Sequence, residues 1–375
     1  MSTMSLEPMP GRTDEMIVNM GPQHPATHGV LRVVLGLEGE RITRAVPHIG
    51  YLHRNHEKIE EARTYPMVIA YTDRMDYVSG TQNELPFVLA VEDMLGIEVP
   101  DRAKKIRTMF FELYRLASHL VWMGTAMLDL GAISPFLYTF WDREIILGIV
   151  EKTAGARMLP NYYTFGGVRR DVHPDFFKDV ADFLDHMERR MVDYEHLVLE
   201  SPVVHARTKG VGVLSKERAI ARGVSGPVLR ASGVAYDVRK AFPYDAYPDV
   251  EFEIPTSPDG DTYARFWVRF QEMYQSIRIL RQLVEITPKT GPHKGKAPAR
   301  IKPPAGERYR AVENSRGELG VLVVSDGSDK PYRVKHRGAA FSNLQIVPDL
   351  FVGAKFSDAI AILASLDPVF GEIDR

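Results

Sequence analysis

Ile106-Arg-Thr-Met-Phe-Phe-Glu-Leu-Tyr-Arg-Leu-Ala-Ser-His-Leu-Val-Trp-Met-Gly-Thr-Ala-Met-Leu-Asp-Leu-Gly131 decides the fold class. Its apolar positions, Met109, Phe110, Leu113, Leu116, Ala117, Leu120, Val121, Gly124, Met127 and Leu128, recur three and four residues apart. That spacing predicts an amphipathic helix of about six turns, with Gly131 as its stop. The same period predicts helices over Phe136 to Val150, Asp175 to Leu199 and Tyr263 to Val284. Four long helices of this kind predict a bundle, because each must bury its stripe against another.

Working outward, Met16 to Met20, Val30 to Leu37 and Arg41 to Val46 read as strands, with a turn at Glu38-Gly39-Glu40. They make a small antiparallel sheet in the first fifty residues. Ser201 to Asp261, rich in Gly, Pro and Asp, reads as loops with short strands. Thr287 to Arg308, rich in Pro, Gly and basic residues, reads as an exposed, mobile linker. Gly320 to Val324 and Tyr332 to Lys335 form a closing hairpin, and a short helix is expected near Ser357 to Leu366. The expected architecture is α+β in a single domain over 1–375. Its parts are an N-terminal sheet lobe (1–60), a helical bundle (61–200), loops and strands plus a long helix (201–286), a linker (287–310), and a C-terminal hairpin and tail (311–375).

Among 375 residues, 47 Lys and Arg nearly balance 49 Asp and Glu, so no basic footprint points to nucleic acid. The basic run from Lys289 to Arg310 has no aromatic interleaving before Tyr309, which fits a solvated linker. With no cysteine at all, the chain has no disulfide, thiolate zinc site, catalytic thiol or iron–sulfur cluster on its own sulfurs. Met1 to Met20 shows no apolar signal-peptide core, and no run approaches the roughly 18–20 apolar residues of a membrane span.

Several clusters can carry chemistry. Gly21-Pro-Gln-His24-Pro-Ala-Thr-His28-Gly29 sets two histidines four apart, but Pro25 argues against a helix and hence against paired metal ligation. In a Gly/Pro-framed loop a histidine either faces a cavity or bonds loop backbone. Pro47-His48-Ile-Gly-Tyr-Leu-His53-Arg-Asn-His56-Glu57 is denser in histidine but lacks the zinc-protease spacing. Thr72-Asp-Arg74-Met-Asp76-Tyr77-Val-Ser79 offers a phenol donor beside a fixed positive charge; equally, Asp73 or Asp76 there can cap a helix start. Asp129 closes the apolar stripe. It is either a solvated helix-end carboxylate or a shielded one that needs His or Arg as partner. No Gly-x-Gly-x-x-Gly, phosphate loop or nucleophile elbow appears.

Together with Leu116-Ala-Ser-His-Leu120, Leu128-Asp-Leu-Gly-Ala132, Leu229-Arg-Ala-Ser-Gly233, Tyr236-Asp-Val-Arg-Lys240, Arg316-Gly-Glu-Leu-Gly320 and Ser365-Leu-Asp-Pro368, these motifs resemble one family, in order, from about Met16 onward. It is the family of quinone-site, D-type subunits of proton-pumping NADH:quinone oxidoreductase, respiratory complex I. That family looks like nickel–iron hydrogenase large subunits without the metal. The four thiolate positions of hydrogenases fall here on Asp76, Ser79, Val369 and Glu372, with Arg375 in a histidine position, so the resemblance implies a metal-free site. It further implies that His28 and Tyr77 hydrogen-bond the quinone head group, that Asp129 orients or shares a proton with His28, and that Arg74 lies by the terminal iron–sulfur cluster of a neighbouring subunit. The chain would bind no cofactor itself. Quinone is the substrate, and NADH, FMN and the clusters belong to partner subunits. Implied partners are that iron–sulfur subunit, the C-type subunit and the membrane-arm subunits, with no nucleic acid. The implied setting is peripheral, on the cytoplasmic side of a bacterial inner membrane, in a translocase whose subunit is not active alone. A non-catalytic scaffold in a hydrogenase-related membrane complex is the alternative. Two departures stand out: Leu159 and Thr164 occupy positions that often hold His and Arg, and the 287–310 linker is short.

Overall fold

The computed structural model describes residues 7–8, 15–24 and 27–375. Four antiparallel strands, β1 (Glu7–Pro8), β2 (Met16–Met20), β3 (Arg32–Glu38) and β4 (Arg41–His48), pair in sequence order. Val18 faces Leu35 and Val34 faces Val46 across the ladder. Val33, Leu35 and Leu37 are buried on one face, as a period-two pattern requires. That face packs on helices from the far end of the chain through Leu344, Ile346, Leu350, Ile362, Phe370 and Ile373. The first fifty and last forty residues thus share one core.

The second core is the bundle. After α1 (His56–Glu61) and α2 (Tyr65–Thr72) come α3 (Gly80–Leu95), α4 (Asp101–Asp129), α5 (Ile133–Ala154) and α6 (Phe176–Tyr194), the last continuing as a π turn over Glu195–Leu199. The short strands β5 (Tyr163–Thr164) and β6 (Gly167–Val168) lie between α5 and α6. The stripe read from Ile106 onward is buried along α4, from Ile106 to Met127. Trp122 of α4 donates from its indole Nε1 to Ala364 O at 2.9 Å, which ties the bundle to a C-terminal helix that also carries Ile362 and Leu363 of the other core.

Three expectations need correction. Residues 201–261 hold no strand among the described residues but four short α-helices, α7 (Pro202–Thr208), α8 (Lys216–Ala221), α9 (Gly226–Arg230) and α10 (Val238–Ala241), and a 3-10 turn at Tyr247–Asp249. Their start signals were present. Ser215 accepts the Arg218 N–H and Asp237 the Arg239 N–H, and prolines open α7 and α9. After α11 (Thr262–Ile286), the stretch expected to be a mobile linker is held to the body. The buried Arg102 guanidinium donates to Pro288 O, Lys289 O and Gly291 O, and Gly295 N–H to Gly166 O at 2.7 Å. Finally, the closing hairpin is a three-stranded antiparallel sheet, β7 (Gly306–Asn314), β8 (Gly317–Ser325) and β9 (Arg333–Arg337), whose first strand begins inside the expected linker. The chain ends in α12 (Ala339–Leu344), α13 (Val347–Phe351), α14 (Phe356–Leu366) and a buried α15 (Phe370–Asp374).

Candidate active site

His28 sits in the connection from β2 to β3. Gly21 opens it at φ +82°, where a Cβ would lie 1.9 Å from Leu31 O, so only glycine fits. The buried Thr27 hydroxyl faces His24 O and Gly29 O, each at 2.7 Å. His28 itself is held at φ 55°, a conformation that is rare for a residue with a side chain and that surrounding structure must enforce. Next to it Gly29 lies against the Phe370 ring, with a Cβ position only 2.7 Å from that ring.

The backbone geometry brings His28 Nε2 to 2.6 Å from Asp129 Oδ2, with each side chain 12% exposed. The two atoms are close without forming a hydrogen bond. Asp129 is the last residue of α4, at the negative end of the helix dipole, where a carboxylate gains from a cation or donor. His28 is a partner of the kind, His or Arg, that a shielded Asp129 needs.

Tyr77 lies in the turn between α2 and α3. Its ring edge meets Gly371, whose Cβ position is 3.1 Å from Tyr77 Cδ1. Gly29 and Tyr77 therefore flank the same Phe370–Gly371 step of α15. Burial, reinforced by the Asp76 charge, pushes the Tyr77 phenol above its ordinary value, so it stays protonated and able to donate at neutral pH. Arg74 is exposed. Its Nη1 donates to Ala70 O, and it lines an open cavity of about 630 Å³ with Arg63, Met67, Tyr71 and Asn161. Neither His28, Tyr77 nor Asp129 lines that cavity.

Asp73 and Asp76 do not cap the α3 start with their side chains. Asp73 accepts the N–H of the distant Asn161, and Asp76 is one partner of a buried arginine. Arg316 Nη1 pairs with Asp76 Oδ2 at 2.6 Å and donates to Ser118 Oγ at 3.0 Å, while Nη2 pairs with Asp367 Oδ1 at 3.1 Å. Ser79 donates to the Asp76 carboxylate. Burial, then the neighbouring Asp76 charge, pushes the Glu372 carboxyl up to about 7 against the pull of Arg316. Asp76, Ser79 and Glu372 are thus gathered around the Arg316 guanidinium. Arg316 and Asp367 had no place in the site as read from sequence. The first lies in a noticed motif, but 240 residues separate it from Asp76, and spacing carries no signal across that distance.

Behind this cluster, the buried His119 Nε2 approaches Glu272 Oε2 at 3.1 Å, and Arg230 pairs with Glu272 and Glu313 at 2.6 and 2.7 Å. In the histidine-rich stretch, His53 Nδ1 bonds Asp374 O at 2.7 Å. His56 is lowered to about 4 by burial and then Arg54, so it is neutral. Among the described residues, no group of three or more His, Asp or Glu is arranged to hold a metal ion, and no helix is long and apolar enough to cross a membrane.

The family model described as the 49 kDa subunit of respiratory-chain NADH dehydrogenase matches residues 129–302 and 293–375. The D-type subunit of NADH-quinone oxidoreductase from Clostridium beijerinckii is 47% identical over 363 residues, 97% of this chain and 98% of that protein. The second D-type subunit of the same enzyme from Symbiobacterium thermophilum is 48% identical over 380 residues, 97% of this chain and 99% of that protein. Among solved structures, a chain of the membrane-bound sulfane sulfur reductase, an archaeal respiratory membrane complex, superposes with a TM-score of 0.94 at 37% identity, covering 98% of this chain and 100% of that one. The chain belongs to the family of the 49 kDa subunit of respiratory-chain NADH dehydrogenase.

Proposed function

We propose that this chain is the quinone-binding subunit of the peripheral arm of a proton-translocating NADH:quinone oxidoreductase, docked on the cytoplasmic side of a bacterial inner membrane. The observation that carries the reading is the His28–Asp129 contact, made by a strained loop whose next residue, Gly29, shares the Phe370–Gly371 step with Tyr77. Quinone reduction takes two electrons and two protons. A histidine backed by a carboxylate, and a phenol that stays protonated, can hydrogen-bond the two carbonyl oxygens and hand protons to them. Asp129 lies where it can orient the His28 imidazole for that task. The electrons must come from outside, because the chain has no cysteine to hold a cluster. Arg74, exposed on an open cavity, is suited to face the neighbouring iron–sulfur subunit.

In the purified complex, His28→Ala or Tyr77→Phe is expected to impair quinone reduction while leaving NADH oxidation by artificial acceptors intact. Unchanged quinone turnover in both variants would overturn the site assignment. The likeness to a chain of the sulfane sulfur reductase complex keeps a second reading in play, a scaffold subunit of a related respiratory membrane complex. Under that reading both substitutions are silent.

A further inference from the structure

Asp73 and Glu84 are buried acids that the proposed site does not use. Asp73 follows the last residue of α2 and Glu84 lies in the second turn of α3, so they bracket the turn that carries Arg74 and Tyr77. Both are fully buried. A distant loop holds them through its backbone: Asn161 N–H donates to Asp73 Oδ2 at 2.9 Å, and the N–H groups of Tyr162 and Tyr163 to Glu84 at 3.2 and 2.7 Å. Gly80 leaves the room, since a Cβ there would sit 2.5 Å from Asp73 Oδ1. That oxygen is buried and receives no N–H or O–H from the described groups, yet the Glu84 carboxyl is within hydrogen-bond reach of Asp73. Two carboxylate oxygens facing each other away from water repel unless a proton lies between them.

We propose that Asp73 and Glu84 share one proton and act as a positioning pair, clamping the Arg74–Tyr77 turn to the Asn161–Tyr163 loop in the geometry that quinone reduction requires. The inference rests on the quinone-site reading of Tyr77. The charged and titratable surroundings agree with it. Arg74 comes from the same turn, Arg169 from beyond β6, Tyr163 from β5, and Tyr114 from α4 with Arg143 of α5 behind it. None of these bonds the orphan oxygen. Burial pushes Glu84 well up, with the Asp73 charge adding to it, and burial raises Asp73 to about 6. Loss of the shared proton leaves two buried carboxylates in repulsion, so the clamp opens on the alkaline side.

The test uses the purified complex with Glu84→Gln, Asp73→Asn and Glu84→Ala. Glutamine keeps the shape and donates to Asp73, but it cannot release a proton. Infrared spectra of wild type minus Glu84→Gln are expected to show the carbonyl band of a buried, protonated carboxylic acid, and Asp73→Asn, which replaces the acid's hydrogen-bond partner, to shift that band. Quinone turnover of Glu84→Gln should match wild type within about twofold near neutrality and lack its alkaline decline. Glu84→Ala, which lets the turn shift, should lose turnover by on the order of tenfold or more at every pH. Absence of the carboxylic-acid band, or the same alkaline decline in wild type and Glu84→Gln, overturns the proposal even if Glu84→Ala does not fold. With the band present but Tyr77→Phe and His28→Ala silent, the fault lies in the site assignment instead.

Discussion

At the scale of single residues, Glu372 shows how burial changes the electrostatics of a carboxyl. Its carboxyl is buried against Asp76, and one of its oxygens has no hydrogen-bond partner, so the neutral acid fits better than the anion. The folded-state value, about 7, lies above the ordinary carboxylate value. The folded protein therefore binds a proton that the unfolded chain has already lost. Stability contributed by this group is complete below the unfolded value and is lost as pH rises towards 7. Thermal unfolding between pH 4.5 and 7 is expected to show a smaller fall in Tm for Glu372→Gln than for wild type. Parallel curves would show that Glu372 is ionised in the folded protein. Arg316 explains why glutamate is tolerated there at all: its guanidinium meets Asp76 and Asp367 and partly offsets the charge that Glu372 gains on ionisation.

At the scale of elements, the C-terminal helix α15 is what the histidine-rich Pro47–His56 stretch serves. The Asp374 carboxylate accepts Gly50 N–H at 2.8 Å and Leu52 N–H at 2.6 Å. Since Gly29 and Tyr77 both rest on Phe370–Gly371, this anchor sets their spacing. Asp374→Ala removes both bonds and is expected to cost about 2–3 kcal/mol in urea unfolding and to lower quinone turnover. An unchanged midpoint would contradict that role for the tail. Elements also show where sequence carries information. The helix read from Ile106 to Gly131 is found as α4, Asp101–Asp129, because an amphipathic stripe is a local signal. β7 was not legible: its first five residues are exposed and include Glu307, Arg308 and Arg310, so no alternation marks it. It is a strand because β8 supplies the partner, with Tyr309 facing Leu322 and Val312 facing Leu319. Exposed charge suits a sheet edge. The motifs that carry His28, Tyr77 and Asp129 are visible in the sequence, and their proposed roles come from the family resemblance, whereas the pairing of Arg316 with Asp76 arises only when β8 docks beside α3.

At the scale of the whole molecule, the candidate site lies where two cores meet. The His28 loop belongs to the core shared by the N-terminal sheet and the C-terminal helices, while Asp129 ends a bundle helix. The His28–Asp129 contact therefore depends on the seating of one core on the other, which Trp122 and the Arg316 cluster maintain. The central claim is that quinone binds at this junction. The most direct measurement is labelling of the purified complex with a photoreactive quinone, with the tagged positions mapped by peptide mass analysis. Tags on the peptides carrying His28 and Tyr77, reduced by excess unlabelled quinone, are predicted. Competable tags that map elsewhere and spare both peptides would contradict quinone binding at this site.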